Sequence, residues 1–217
     1  VTQEAFAVAS HARASGAREA GNFAEEIVGI ETEAGLVSED GCIRPGTDAA
    51  TLAGLKPAFD ASGSVTAGTS SPLTDGAAFV LVCTEEFAKA NGLKPLARIL
   101  STAVSGCAPE LMGIGPVEAS NKALERAGLT LDDIDIVELN EAFAAQSLAV
   151  IEELGLDPSK VNIDGGAISL GHPLGASGAR ITGKAASLLQ RNGAKHALAT
   201  MCVGGGQGIA TVLEKYE

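Results

Sequence analysis

"IDIVELNEAFAAQSLAVIEELG", Ile134 to Gly155, decides the fold. "IDIVELN" reads as a strand, and "EAFAAQSLAVIEELG" as a helix burying Phe143, Leu148, Ile151 and Leu154. The same grammar recurs on both sides. "AAFVLVC" (77–83) is a continuous apolar run of the kind buried on both faces of a sheet. "TEEFAKANG" follows as a helix, with Thr84 as N-cap and two acids in its first turn. "ARILSTAVSG" (97–106) reads as a strand and "GPVEASNKALERAG" as a helix with Pro116 near its start. "VNIDGG" reads as a short strand, "ARITGKAASLLQRNG" as a helix, and "HALATMCV" with "QGIATVLEKY" as a closing hairpin. The expected fold is α/β: a mixed, mainly parallel five-stranded sheet with helices on both faces and an antiparallel pair at its end.

The first 75 residues differ in texture. Residues 3–20 form an Ala-rich amphipathic helix stopped by Gly21, and "FAEEIVGIETEAG" holds a short edge strand. The stretch from Glu39 to Gly76 is rich in Gly, Pro, Ser and Thr, with one short helix near Thr51–Leu55. Irregular segments of this length in compact domains usually cover or line a site.

Among the 217 residues, 46% are hydrophobic and only 3% aromatic, so the core is built from Ala, Val, Ile and Leu. A formal charge of −12 argues against a basic nucleic-acid-binding surface. No apolar run approaches the ~20 residues that span a bilayer. Cys42, Cys83, Cys107 and Cys202 are far apart without CxxC spacing, so neither a disulfide framework nor a zinc site is spelled out. Free thiols suggest a reducing compartment, and a cytoplasmic location is expected.

Three stretches at strand ends carry chemical potential, where open α/β sheets place their ligands. In Asn140-Glu141-Ala142-Phe143-Ala144, Asn140 is at minimum a helix N-cap. In "GGAISLGHPLGASGAR" (165–180), His172 stands among glycines, and Pro173 stiffens the backbone around it. A rigidly held imidazole beside free N–H groups suits an oxyanion site. In Cys202-Val203-Gly204-Gly205-Gly206, the thiol is either a small buried hydrophobe or a reactive group beside a glycine turn. The glycine run joins two strands and so lacks the context of a dinucleotide-binding loop.

Taken in order, NEAFA, GHPLGASG and CVGGG resemble the thiolase family, and the resemblance extends over the whole chain through "TAGTSSPLTDGAA", "LMGIGPVEAS" and "ALERAGL". "TSSPLTDG" and "GGGQGIA" look more like its degradative, 3-ketoacyl-CoA side. The resemblance implies an acyl-CoA acetyltransferase that exchanges acyl groups between CoA thioesters, with no cofactor or metal beyond those thioesters. It implies that His172 activates a nucleophilic cysteine and hydrogen-bonds a thioester oxygen, and that Cys202 is the general base or acid. By the same resemblance Asn140 would hold a water in the same oxyanion hole, and the Gly204 N–H would contribute to a second. The resemblance further implies that Phe143 and Met112 line the acyl and pantetheine pocket, that Ser71 contacts the pantetheine arm, and that Arg44 lies near the nucleotide end.

In the family the nucleophilic cysteine precedes the segment matching Val1, and none of the four cysteines here fills that role. Cys42 reads as surface or lid, Cys83 as core, and Cys107 as a loop residue. The chain is therefore expected to be the C-terminal half of a thiolase. Residues 1–73 would be part of a covering loop domain, 74–94 the last strand and helix of an otherwise missing N-terminal half, and 95–217 the C-terminal domain. That half would be a separate polypeptide or missing, leaving this chain inactive alone. A homo-oligomer, dimer or tetramer, is expected, with no nucleic-acid or membrane partner. The alternative is a non-catalytic CoA- or acyl-binding module or a structural partner subunit.

Overall fold

The computed structural model describes residues 2–217. In chain order its elements are α1 (Gln3–Glu19), β1 (Ile30–Thr32), β2 (Gly35–Val37), α2 (Ala49–Ala53), α3 (Glu85–Ala90), β3 (Ala97–Gly106), α4 (Gly115–Ala127), β4 (Ile136–Leu139), α5 (Ala144–Leu154), α6 (Ala167–Leu170), α7 (Ser177–Asn192), β5 (His196–Val203) and β6 (Gln207–Lys215). They gather into two compact units. One comprises Val1–Asp75, Glu141–Leu148 and Asn162–His172, the other Gly76–Asn140, Ala149–Val161 and Pro173–Glu217.

In the first unit, α1 is capped by Thr2, whose hydroxyl accepts the Ala5 N–H at 3.2 Å. Its inward face carries Ala7, Ser10, His11, Ala14 and Ala17. Side chains this small let other backbone come close. Ala14 and Ala17 pack with Phe23, Ile43 and Leu170, while Ala7 packs with Leu52, Ala144 and Ile168. β1 and β2 form a small antiparallel hairpin whose residues are all exposed.

The second unit is built on a four-stranded sheet of order β3-β6-β5-β4. Only β4 and β5 are parallel, and β6 runs antiparallel to both of its neighbours. Leu198 of β5 and Val212 of β6 join Ala119, Ala123 and Leu124 of α4 and Val150 and Leu154 of α5 in one apolar cluster. Ala197 and Ala199, on the opposite face of β5, are also buried, and α7 packs on β5, β4 and β6. Replacing Leu198 by Ala would cost about 2–5 kcal/mol. Helix α4 has Pro116 in its first turn and ends on a left-handed Gly128. Its first residue lies directly on β6. A Cβ on Gly115 would overlap the Gln207 carbonyl, and one on Gly208 would overlap the backbone of Gly115.

Three expectations are corrected. The sheet has four strands and is mainly antiparallel, because "VNIDGG" contributes only an isolated bridge, Val161 to Val137, before Asn162 turns the chain at φ 48°. Cys83 is exposed rather than core, in a segment, 77–83, that forms no ladder among the described residues and leaves Phe79 93% exposed. Helix α5 starts at Ala144, which leaves Phe143 before it, and Leu148 is only partly buried.

Candidate active site

The second unit brings several of the expected residues to one end of its sheet. β4 and β5 are parallel neighbours in the register Leu139 to Thr200, so Asn140 and Cys202 emerge at the same, C-terminal end. The Asn140 N–H extends the ladder to the Thr200 carbonyl at 3.0 Å, and its side chain is fully buried. Thr200 is fixed in turn, its hydroxyl donating to the Ile209 carbonyl at 2.9 Å and accepting from Ser120 at 3.2 Å.

Beyond Cys202, β5 ends at Val203 and β6 begins opposite it at Gln207, leaving Gly204, Gly205 and Gly206 as the turn. Gly204 is exposed, and the Gln207 side chain donates to its carbonyl at 3.3 Å. The Cys107 N–H meets the Gly206 carbonyl at 2.7 Å, and the Cys107 thiol lies 3.6 Å from the Leu111 carbonyl and 3.9 Å from that of Met112. Asn140, Cys202, the Gly204 turn, Cys107 and Met112 thus share one end of the sheet. Burial pushes the Cys202 thiol up to about 11, its own backbone opposes this, and the neighbouring Cys107 adds to it.

The first unit holds His172, Ser71, Phe143 and Arg44. The His172 N–H donates to the Thr74 hydroxyl at 3.1 Å, and Thr74 donates to the Pro72 carbonyl at 2.7 Å. Gly171 has φ +98°, and a Cβ there would strike Thr74, so only glycine serves before the histidine. Ser71 contacts the Ala142 carbonyl through both its N–H (3.0 Å) and its hydroxyl (3.1 Å). Ser70 bridges to Phe143, so the "TSSPLT" and "NEAFA" stretches run side by side. Phe143 packs edge-on against Phe59 with ring centroids 5.8 Å apart.

Arg44 is exposed on a separate loop, its N–H donating to Nδ1 of His11 at 3.2 Å. Burial, with the Arg44 charge beside it, holds His11 below its ordinary pKa.

Sequence reading passed over Glu141, Ser10 and Thr74. Glu141 is buried, and its carboxylate accepts from Ser10 Oγ (2.7 Å), Asn162 Nδ2 (2.8 Å) and the Ile168 N–H (3.1 Å). The available signal was a lone acid in the otherwise apolar run after Leu139.

Comparison with known proteins now fits this geometry. The family model "Thiolase, C-terminal domain" matches residues 93–215, and "Thiolase, N-terminal domain" matches residues 1–86. The 3-ketoacyl-CoA thiolase of Vibrio cholerae is 54% identical over 98% of this chain and 57% of its own length. That of Yersinia enterocolitica is 55% identical over 99% and 58%. The crystal structure of the Bacillus anthracis acetyl-CoA acetyltransferase superposes with a TM-score of 0.94 at 47% identity, over 99% of this chain and 55% of that one. The human mitochondrial 3-ketoacyl-CoA thiolase in complex with CoA gives 0.93 at 45% identity, over 99% and 54%. The chain therefore spans little more than half the length of these relatives. The N-terminal domain model reaches across residues 1–86. Neither a separate polypeptide for that domain nor inactivity of this chain alone draws support from these matches. From the sheet end that carries Asn140 and Cys202 to the two domain models that together take in nearly all of it, the chain belongs to the thiolase family.

Proposed function

We propose that the protein is an acyl-CoA acetyltransferase that cleaves or forms 3-ketoacyl-CoA by carrying an acyl group on a cysteine thiol. The observation that carries this reading is the delivery of Asn140 and Cys202, by neighbouring parallel strands, to the sheet end where the Gly204 turn exposes backbone. In cleavage, a thiolate adds to the 3-keto carbon and the bond between carbons 2 and 3 breaks. Its electron pair stays on carbon 2 of the departing acetyl-CoA. Cys202, pushed up to about 11, holds its proton at neutral pH and can give it to that carbanion. In the reverse direction it takes the proton away. CoA thiol then attacks the acyl-enzyme and releases the shortened acyl-CoA.

His172 activates the nucleophile and hydrogen-bonds a thioester oxygen, and Asn140 holds a water on that oxygen. The Gly204 N–H stabilises the oxyanion of the acylated cysteine. Phe143 and Met112 line the acyl and pantetheine pocket, Ser71 meets the pantetheine arm, and Arg44 lies toward the nucleotide. The acyl-carrying thiol is none of Cys42, Cys83, Cys107 and Cys202, the four cysteines of these 217 residues, and lies in N-terminal thiolase sequence outside them. The scheme needs no cofactor besides the CoA thioesters, and the protein works as a homo-oligomer in a reducing compartment.

The test is acyl trapping with radiolabelled acetoacetyl-CoA, followed by peptide mapping. Label on a thiol other than these four, with turnover lost in His172→Ala and Cys202→Ser, supports the proposal. Label on any of the four overturns the cysteine assignment. CoA binding without any label overturns acyl transfer and leaves a binding module.

A further inference from the structure

The geometry points to Glu141 as a positioning residue for His172, an inference that rests on the acyl-transfer reading above. Glu141 is 2% exposed, and burying a carboxylate costs several kcal/mol unless hydrogen bonds replace its water. Donors that meet it come from different parts of the first unit: Ser10 from α1, Asn162 from the turn after Val161, and the Ile168 N–H from the first turn of α6. Donors alone are what an ionised carboxylate accepts.

Ser10 extends the grip. Its hydroxyl accepts the Gly166 N–H at 3.2 Å and lies 3.0 Å from the Ser169 hydroxyl, which donates to the Gly166 carbonyl at 2.9 Å. Gly166 lies so close that a Cβ there would overlap the Glu141 carboxylate. The backbone leading into His172 is thus fixed at 166–169 by Glu141 and Ser10, and at His172 itself by Thr74. Between these holds, Gly171 at φ +98° is the soft point. Releasing the first hold lets the segment pivot there, and the imidazole moves with it. Glu141 acts through the backbone and touches no reacting atom. It belongs to the motif that supplies Asn140, so one short sequence provides a catalytic amide and, one residue later, the anchor for a distant histidine.

The test uses the full purified protein as wild type, Glu141→Gln, Ser10→Ala and His172→Ala. Amide hydrogen exchange is followed at Ile168, His172 and Leu198, together with kcat and KM for thiolysis of acetoacetyl-CoA. Gln keeps the size of Glu but turns one acceptor into a donor facing donors. In Glu141→Gln the Ile168 and His172 amides should exchange at least about tenfold faster while Leu198 is unchanged. The kcat should fall about 100-fold, as misplacement by about 1 Å does, with KM within about twofold. Ser10→Ala should move the same quantities less, and it carries the test if Glu141→Gln does not fold. Unchanged exchange at His172, or exchange rising uniformly with kcat per folded molecule unaltered, overturns the positioning role. Wild-type kcat in His172→Ala overturns the acyl-transfer reading instead, and the exchange rates alone then decide whether Glu141 fixes the loop.

Discussion

Replacing Gly166 with Ala adds one methyl group at the most crowded point of the first unit. The backbone there, φ −132° and ψ −164°, suits alanine, so no dihedral strain arises. The added Cβ would lie 2.5 Å from Glu141 Oε2 and closer still to Cδ and Oε1. An ordinary contact is about 3.5–4.0 Å, so the carboxylate must retreat by about 1 Å. The bond from Asn162 Nδ2, now 2.8 Å, and that from the Ile168 N–H, now 3.1 Å, cannot both survive such a shift. Losing a hydrogen bond to a charged group costs about 1.5–3 kcal/mol. Overpacking costs about 1–3 kcal/mol. Stiffening the unfolded chain returns about 0.4–1 kcal/mol. The net expectation is a loss of about 3–5 kcal/mol out of a total of about 5–15 kcal/mol. Urea unfolding followed by far-ultraviolet circular dichroism reads it as a fall in midpoint at constant slope. The control is Gly175→Ala, where no heavy atom lies within 4 Å of the new methyl and the change should stay within about 0.5 kcal/mol. A Gly166→Ala loss below about 1 kcal/mol would refute the argument that this carboxylate is wedged in place.

Three further outcomes follow from titratable groups. Thiolate absorbance titrated with pH should show a step near 11 that Cys202→Ser removes, and a step at the ordinary thiol value would contradict the burial argument. Glu85 is held at about 2 by hydrogen bonds from Lys89, Arg98 and Tyr216, so its contribution is present above the ordinary carboxylate value of 4.5 and is lost as pH falls toward 2. Glu85→Gln should therefore flatten the pH dependence of Tm in that window. His11 resists protonation in the fold, so its contribution is intact above 6.5 and declines as pH falls below that value. Proton NMR should place its titration below 6.5, and a midpoint at or above 6.5 would sink this.

The sequence made the helices legible because their ends carry chemistry: Thr84 caps α3, Pro116 opens α4, and Gly128 closes it left-handed. β4 with its junction at Asn140 was equally readable, since an apolar strand and an amphipathic helix meet there. Cys83, expected in the core, was misplaced because an apolar run reports a tendency to be buried and says nothing about which backbone supplies a ladder. α6 was hidden because four residues inside a glycine-rich stretch carry no periodicity. Asn140, His172 and Cys202 were announced by motif. Glu141 and Thr74 were not, because their importance lies in hydrogen bonds to Ile168 and His172, which sequence distance conceals.

The contact between Gly115 and Gly208 has a consequence for motion. Each glycine's backbone occupies the space where the other's side chain would be, so helix and strand meet peptide to peptide with no compressible side chain between them. A displacement of the 204–206 hairpin tip must then drag the start of α4 along, and a thermal excursion at the tip is resisted by the packing of the helix. A small molecule placed against that tip would encounter a surface with little give.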